Sequence, residues 1–339
     1  MKRLILGILS VLLAMVLAAT AYAATVTEVF NDTFYEENHI RDDAFVSPSG
    51  FACTHDALYV LLSNHTVYSW GLTDGKYQKM CDLPPLPRYN AELSYDELSN
   101  DIKEQLQNVV FTFIPSDHHL LGFNPIHGRI GTIDNDGITW SDKKLDTTVL
   151  TRKGHSYPSS ILYPFVNQNI LYGFYDMSWE ENDDPPCEGV LLAFDLESGA
   201  CEKTDLQGAF TFCRYGLDSL LLMRDNGSEA PVLSKYSLQT KDIVDLPIPI
   251  SAKLERNSFS DFYTLMQEIG GLAYDSVNDQ IVYVYQCKVW SSIGGQPFEA
   301  IADLSSSISY LMPTAQGWFL SNGSYALQTN GQIYTLAVH

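Results

Sequence analysis

One pattern limits what this chain can fold into: a strand–turn–strand–turn–strand unit that recurs as far as the C-terminus. Its clearest copy is Ala57–Pro84, ALYVLLSNHTVYSWGLTDGKYQKMCDLP. Leu58, Val60 and Leu62 alternate with Tyr59 and Leu61, which suits a strand buried on both faces. Asn64-His65 is a short polar break, and the β-branched and aromatic Thr66–Trp70 is strand again. Thr73-Asp74-Gly75 is a hairpin turn, because Gly after Asp supplies the positive φ such turns need. Tyr77–Leu83 is the third strand, closed by Pro84 and Pro85.

The same order returns in Leu120–Leu145, Ile170–Leu206, Ser219–Ile248, Gly271–Leu304 and Tyr310–Ala337. An extra apolar strand precedes most copies: Gly50–Thr54, Val109–Ile114, Ile161–Phe165 and Phe210–Arg214. In the last copy the four strands are expected at Tyr310–Pro313, Gly317–Ser321, Ser324–Thr329 and Gln332–Ala337. Four strands per unit, at roughly 40–50 residue spacing, is the signature of propeller blades. Radial packing removes long exposed sheet edges. The expected fold is all-β, a single β-propeller of six four-stranded blades, with seven as the alternative count. Thr25–Phe30 is a strand before the first unit, placed to complete the last blade and close the ring.

Met1–Ala23 reads as a signal peptide: Lys2-Arg3, an apolar core Leu4–Leu17, and Ala21-Tyr22-Ala23 as the cleavage site. The expected domains are therefore a leader at 1–23 and a propeller at 24–339, secreted and bacterial in style. Retention of the leader as an outward-facing membrane anchor is the alternative. The net charge of −21 repels nucleic acid and anionic membranes. It suits solubility outside the cell. With 45% hydrophobic residues, 20 Tyr and 16 Phe, the chain has enough apolar surface for a large core.

Three stretches interrupt the β pattern. Ser94-Tyr95-Asp96-Glu97 matches a capping box, and Leu98, Ile102, Leu106 and Val109 fall on one helical face. One short inserted helix is expected within about residues 88–108. Apart from these three, Asn31–Asp43 ahead of the first blade is polar and reads as a loop. Met177–Cys187 carries Trp179 and the acids Glu180, Glu181, Asp183 and Asp184, and Ser251–Glu268 has room for a short helix from Ser260. By blade geometry all three insertions lie on one face of the disk, the face of the second-to-third strand turns and the interblade links. Elongated loops on one face of a repeat array mark its binding face.

Candidate chemistry is sparse. The six cysteines have no C-x-x-C spacing and read mostly as buried thiols. Asp117-His118-His119 reads as a polar turn, and His55, His65, His127 and His155 are too scattered for a triad. No cofactor is expected; Glu180–Asp184 offers carboxylates to Ca²⁺ but lacks EF-hand spacing. No G-x-S-x-G, H-E-x-x-H or phosphate loop appears.

Asn135-Asp136-Gly137-Ile138-Thr139-Trp140 resembles the Asp-box of sialidase-type propellers, S-x-D-x-G-x-T-W. Gly137, Thr139 and Trp140 match, while Asn135 replaces the Asp and Ile133 the Ser. That box is a folding element, so the resemblance implies the architecture rather than a glycosidase. Gly271–Asp275 followed by Asn278–Val284 looks like a blade of six-bladed TolB-like and related secreted propellers. This second resemblance covers roughly Val46–His339 in pattern and implies fold and export. Propellers of this kind also precede bacterial extracellular solute-binding domains.

The expected function is a non-enzymatic, monomeric binding or scaffold module for a protein, peptide or glycan. Tyr89, Tyr157, Trp179, Phe262 and Tyr263, in or near the links, are the expected contacts. The alternative is a hydrolase or lyase acting on an extracellular substrate such as a glycan, through a polar funnel at the propeller centre. The innermost strands offer it Arg214, His55 and Asp275.

Overall fold

The computed structural model describes residues 25–40, 46–90, 93, 95–116, 119–150, 161–176, 189–228, 230–250, 252, 269–309, 311 and 315–338. Strand β1 is Val26–Val29. Blade 1 is β2 Pro48–Cys53, β3 Ala57–Leu62, β4 Thr66–Gly71 and β5 Tyr77–Asp82. Blade 2 is β6 Thr112–Ile114, β7 Leu120–Asn124, β8 Arg129–Asp134 and β9 Gly137–Lys144. Blade 3 is β10 Leu162–Asn167, β11 Ile170–Asp176, β12 Gly189–Asp195 and β13 Cys201–Asp205. Blade 4 is β14 Ala209–Arg214, β15 Ser219–Arg224, β16 Val232–Ser237 and β17 Ile243–Asp245. Blade 5 is β18 Ile269–Asp275, β19 Gln280–Tyr285, β20 Lys288–Ile293 and β21 Glu299–Asp303. Blade 6 is β22 Gln316–Phe319, β23 Ser324–Thr329, β24 Gln332–Ala337 and, outermost, β1.

Each blade is an antiparallel four-stranded sheet in meander order. The ring closes as the sequence suggested: β1 pairs with β24, Val26 opposite Leu336 and Val29 opposite Ile333. The assignment within that blade needs correction. Its innermost strand is Gln316–Phe319, and the next two strands each sit one place further inward than expected, which makes room for β1; of the expected Tyr310–Pro313 only Leu311 is among the described residues.

The core lies between blades rather than at the axis. Phe34, Val60 and Ile333 join blade 6 to blade 1, and Leu61 and Phe113 join blades 1 and 2. Phe123 and Phe194, with ring centroids 6.4 Å apart, join blades 2 and 3. Tyr172, Phe212 and Tyr283 run through blades 3 to 5, and Val284 and Leu327 join blades 5 and 6. Each such side chain removed from water contributes on the order of 1.5–3 kcal/mol.

Two short α-helices, not one, occur among the described residues. Helix α1, Asp32–Glu37, replaces the expected loop. Asn31 caps it by accepting the Phe34 N–H at 3.2 Å, and fully buried Phe34 anchors it. Helix α2, Asn100–Leu106, is the expected insertion but starts late. Ser99, not Ser94, is its cap, accepting the Ile102 N–H at 3.4 Å, and Tyr95–Glu97 forms only a 3₁₀ turn. The described cysteines Cys53, Cys81, Cys201, Cys213 and Cys287 are free thiols; Cys187 lies outside the described residues.

Candidate functional site

The six innermost strands surround an axial cavity of about 470 Å³. Its lining comes chiefly from strand ends next to the first turn of each blade, as at Thr54, Ser116, Arg214 and Ser276. In a meander blade those turns lie opposite the interblade links, so this part of the lining lies away from helix α2.

Local irregularities shape this wall. The inner pairs of blades 1, 3, 4 and 5 each contain a register shift. Such bulges bend a strand and re-aim its side chains. In β10 the shift coincides with Tyr163 at φ 49°, just before Pro164. In β18 it coincides with Gly271 at φ 62°, and the Tyr325 hydroxyl donates to the Gly271 carbonyl. A Cβ on Gly317 would stand 2.1 Å from that same carbonyl oxygen, so glycine lets β18 and β22 close together.

One side of the cavity is aromatic and mutually braced. Phe165 stacks on Tyr172 at 5.3 Å, and Phe212 meets Tyr163 and Phe165 edge-on at 5.8 and 6.1 Å. Tyr274, Trp318 and Phe319 continue the lining from blades 5 and 6. At the blade 4–5 rim Tyr274 lies 4.3 Å from Tyr215, whose ring Lys235 overhangs at 5.9 Å. The Tyr274 hydroxyl donates to Asp279 at 3.1 Å. Burial first, and Asp279 second, push that phenol well above its usual range.

Polar groups in the lining are mainly hydroxyls, those of Thr54, Ser116, Thr211, Ser276 and Ser321. The ionisable ones include Arg214, His55 and the thiols Cys53 and Cys213. Arg214 ends β14, and its Nε donates to the Gly216 carbonyl at 3.1 Å, which ties the guanidinium to the following turn. Burial raises the Cys213 thiol far enough to keep it protonated and a poor nucleophile. Neither Asp nor Glu lines the cavity among the described residues. No group of His, Cys, Asp or Glu among the described residues gathers into a metal-holding cluster.

Of the binding residues expected from sequence, one is among the described residues. Tyr89 is half-buried in the link after β5 and does not line the cavity. Tyr157, Trp179, Phe262 and Tyr263 lie outside the described residues, as do Asp117, His118 and the acids Glu180–Asp184. Of the innermost-strand candidates, Arg214 and His55 do line the cavity. Asp275 instead accepts from Val277 N–H and the Asn278 amide within its own turn. The aromatic wall went unread because inner-strand Phe and Trp look the same in sequence whether they face a neighbouring blade or the axis.

The described part of the opposite face carries the α2 insertion, held by polar contacts. The Asn124 amide donates to the carbonyls of Leu106 and Val109 at 2.8 and 2.9 Å, and Arg129 donates to Gln107 at 3.1 Å. Two imidazoles join in. His65 Nε2 accepts the Leu86 N–H at 3.2 Å, and His127 Nε2 meets the Tyr95 hydroxyl at 3.3 Å. Burial lowers the affinity of His65 for a proton. Burial, then Lys144 and Arg129, do the same to His127.

No family model and no curated protein matches the chain. Solved structures do. A gluconolactonase from Xanthomonas campestris aligns over 95% of this chain and 93% of its own, at 12% identity and a TM-score of 0.50. The WD40 repeats of RRP9 align over 93% and 97%, at 7% identity and a TM-score of 0.49. U3-55K aligns over 92% and 98%, at 7% identity and a TM-score of 0.45. Likeness at such identities concerns the fold alone. The protein is a six-bladed β-propeller.

Proposed function

We propose that the protein is an exported, non-enzymatic binding module that takes part of a protein, peptide or glycan into its axial cavity. The observation that carries this reading is the braced aromatic wall of a cavity whose lining also carries hydroxyls. Rigid aromatic surface gives contact area at little entropic cost, and hydroxyls give adaptable hydrogen bonds. Acid–base hydrolysis or elimination needs two groups set to give and take a proton at one substrate. The Arg214 Nε is committed to a backbone carbonyl, and the Cys213 thiol is held protonated. This favours binding over the hydrolase or lyase alternative.

Titration of the secreted protein with short peptides and oligosaccharides, followed by Trp fluorescence and calorimetry, tests the reading. Saturable binding is expected, weakened about tenfold or more by Trp318→Ala, the size of a central aromatic anchor. Turnover of a bound compound, or affinity indifferent to both Trp318→Ala and Phe212→Ala, overturns it. Export is part of the same proposal: mass spectrometry of the secreted chain is expected to find Ala24 at its N-terminus.

A further inference from the structure

We infer that the protein docks a basic, apolar stretch of polypeptide on the face formed by its first and third blade turns, across blades 4 and 5 and into the axial cavity. This rests on the reading of the cavity as a binding site and adds the kind of partner, a peptide segment rather than a glycan.

The surface starts from aliphatic side chains left in water. Leu217, in the first turn of blade 4, is 61% exposed. Val277, in the first turn of blade 5, is 87% exposed, and Ile293, which ends β20 at that blade's third turn, is 50% exposed. First and third turns share one face. The Leu238 N–H donates to the Asp218 carbonyl at 2.9 Å, and the Gly294 N–H to that of Asp279 at 2.9 Å. Three of the six large apolar side chains exposed among the described residues thus belong to one sector of one face. Tyr215 and Tyr274, with ring centroids 4.3 Å apart, fill the seam between the two blades. Leu217 also lines the axial cavity, and Val277 follows the lining residue Ser276, so the patch runs into the cavity. Apolar surface gathered in this way, rather than scattered singly, marks a contact site.

The charge around the patch selects the partner. The six first turns, residues 54–56, 115–119, 168–169, 215–218, 276–279 and 320–323, contain Asp56, Asp117, Asp218 and Asp279 in sequence and neither Lys nor Arg. Arg214, which ends β14 beside one of these turns, offsets one of those charges. In the third turns Asp74, Asp136, Glu197 and Asp242 outnumber Lys76 and Lys241, and Lys241 is paired with Glu202 at 3.2 Å. A basic partner is drawn to this face and to the net charge of −21, whereas a nucleic acid, an anionic lipid surface or a second copy of this chain is repelled. The side chains of Leu217, Val277 and Ile293 give a sugar neither a flat ring nor a hydrogen bond. They suit the alternate apolar side chains of an extended peptide. The cavity of about 470 Å³ then takes one aromatic or aliphatic residue of that peptide against Phe212 and Trp318.

Three amidated hexapeptides test this by calorimetry. One alternates lysine with leucine around a central phenylalanine, one has glutamate for lysine, and one has serine for the apolar residues. The lysine–leucine peptide is expected to bind about tenfold or more tighter than either relative, by steering charge and buried apolar area together. Added salt should narrow its lead over the glutamate form. Joint replacement Leu217→Ser with Val277→Ser should weaken it about tenfold, and Asp56→Asn with Asp218→Asn about threefold, with unchanged circular dichroism. Val244→Ser, an exposed aliphatic on the outer strand β17, should change nothing. A glutamate peptide that binds as well, an affinity indifferent to the Leu217 and Val277 replacements, or an equal loss from Val244→Ser overturns the inference. Should the double replacement not fold, Val277→Ser alone decides. If oligosaccharides bind and no hexapeptide does, the inference falls and the cavity remains a binding site. If the Leu217 and Val277 replacements weaken the peptide and Trp318→Ala does not, the docking face stands and the cavity reading falls.

Discussion

Two short helices sit on this disk, each on one fully buried apolar anchor, and differ in what is added to it. Helix α1 follows the closing strand and is held by rings. Phe34 meets Tyr68 edge-on at 5.1 Å and Tyr77 at 4.8 Å, while Phe30 touches Phe51 and Tyr77 at 6.3 and 5.6 Å. Helix α2, in the link between blades 1 and 2, also buries one apolar anchor, Leu106, but adds polar ties from an amide and a guanidinium, and two imidazoles hold the link that leads into it. The apolar lock secures the seam where the two chain ends meet, and its strength depends on volume. The polar strap secures an insertion between blades that are already neighbours in sequence, and its strength depends on protonation and hydrogen-bond geometry.

The sharpest way to break this contrast is Phe34→Ala. Removing a fully buried ring at the closing seam should cost about 3–5 kcal/mol. Urea denaturation measures the loss, and hydrogen exchange should place it first in β1 and β24. A loss under about 1 kcal/mol, or exchange rising first in α2, means that the lock does not close the ring.

Asn124→Ala comes next. Asn124 is fully buried, donates to two carbonyls of the strap and accepts the His127 N–H at 3.1 Å. Leaving such groups unsatisfied should cost about 2 kcal/mol. Exchange should rise at residues 105–109 and stay unchanged in β1. Equal effects at both places would merge the two regions into one cooperative unit. A smaller effect is expected from Asn31→Ala, which removes the cap of α1 while Phe34 still anchors it: about 1 kcal/mol by thermal melting.

These helices also show what sequence can reveal. The blades were legible because Asp-Gly and its relatives fix hairpin turns, and strand alternation fills the space between them. Helix α1 was not, since six residues with one buried anchor show no helical period. The start of α2 was misplaced because Ser94 and Ser99 both precede acidic residues, and only the fold decides which serine meets a free N–H. The last blade was read one strand out of place. Tyr310–Pro313 is as apolar as a strand, whereas the true outer strand lies at the other end of the chain. Arg214 and His55 were visible as inner-strand polar residues; the turning of Asp275 into its own loop was not, because it depends on side-chain geometry.

The smallest effect expected, and the one that most directly separates lock from strap, is that of acid. His65 accepts the Leu86 N–H through Nε2, so its own proton must sit on Nδ1, which is buried without a partner among the described residues. Adding a proton at Nε2 would set one N–H against another. The ion pair Lys79–Asp82, with Thr66 donating to Asp82, lies on the adjoining strands. Around His127, Lys144 and Arg129 both oppose a second charge, and Lys103 already overhangs the Tyr95 ring at 5.5 Å. Both imidazoles therefore take up a proton less readily folded than unfolded. The stability they allow is complete above the unfolded value of about 6.5 and falls as pH drops from there through the lowered folded values. The lock has the opposite sign. Burial, then Asp32, raise the Glu28 carboxyl, so the folded state holds that proton more tightly and the strain of its charge is relieved as pH falls. As pH falls from 7.5 to 5.5, the amide protection factors at Leu86 and Tyr95, with the intrinsic pH dependence of exchange divided out, should therefore drop while those in β1 do not. His65→Asn, chosen because Asn tolerates the φ of 64° found there, should remove the pH dependence at Leu86 and leave that at Tyr95 in place. A protection factor at Leu86 that ignores pH in the wild type would show that the imidazole does not hold the strap.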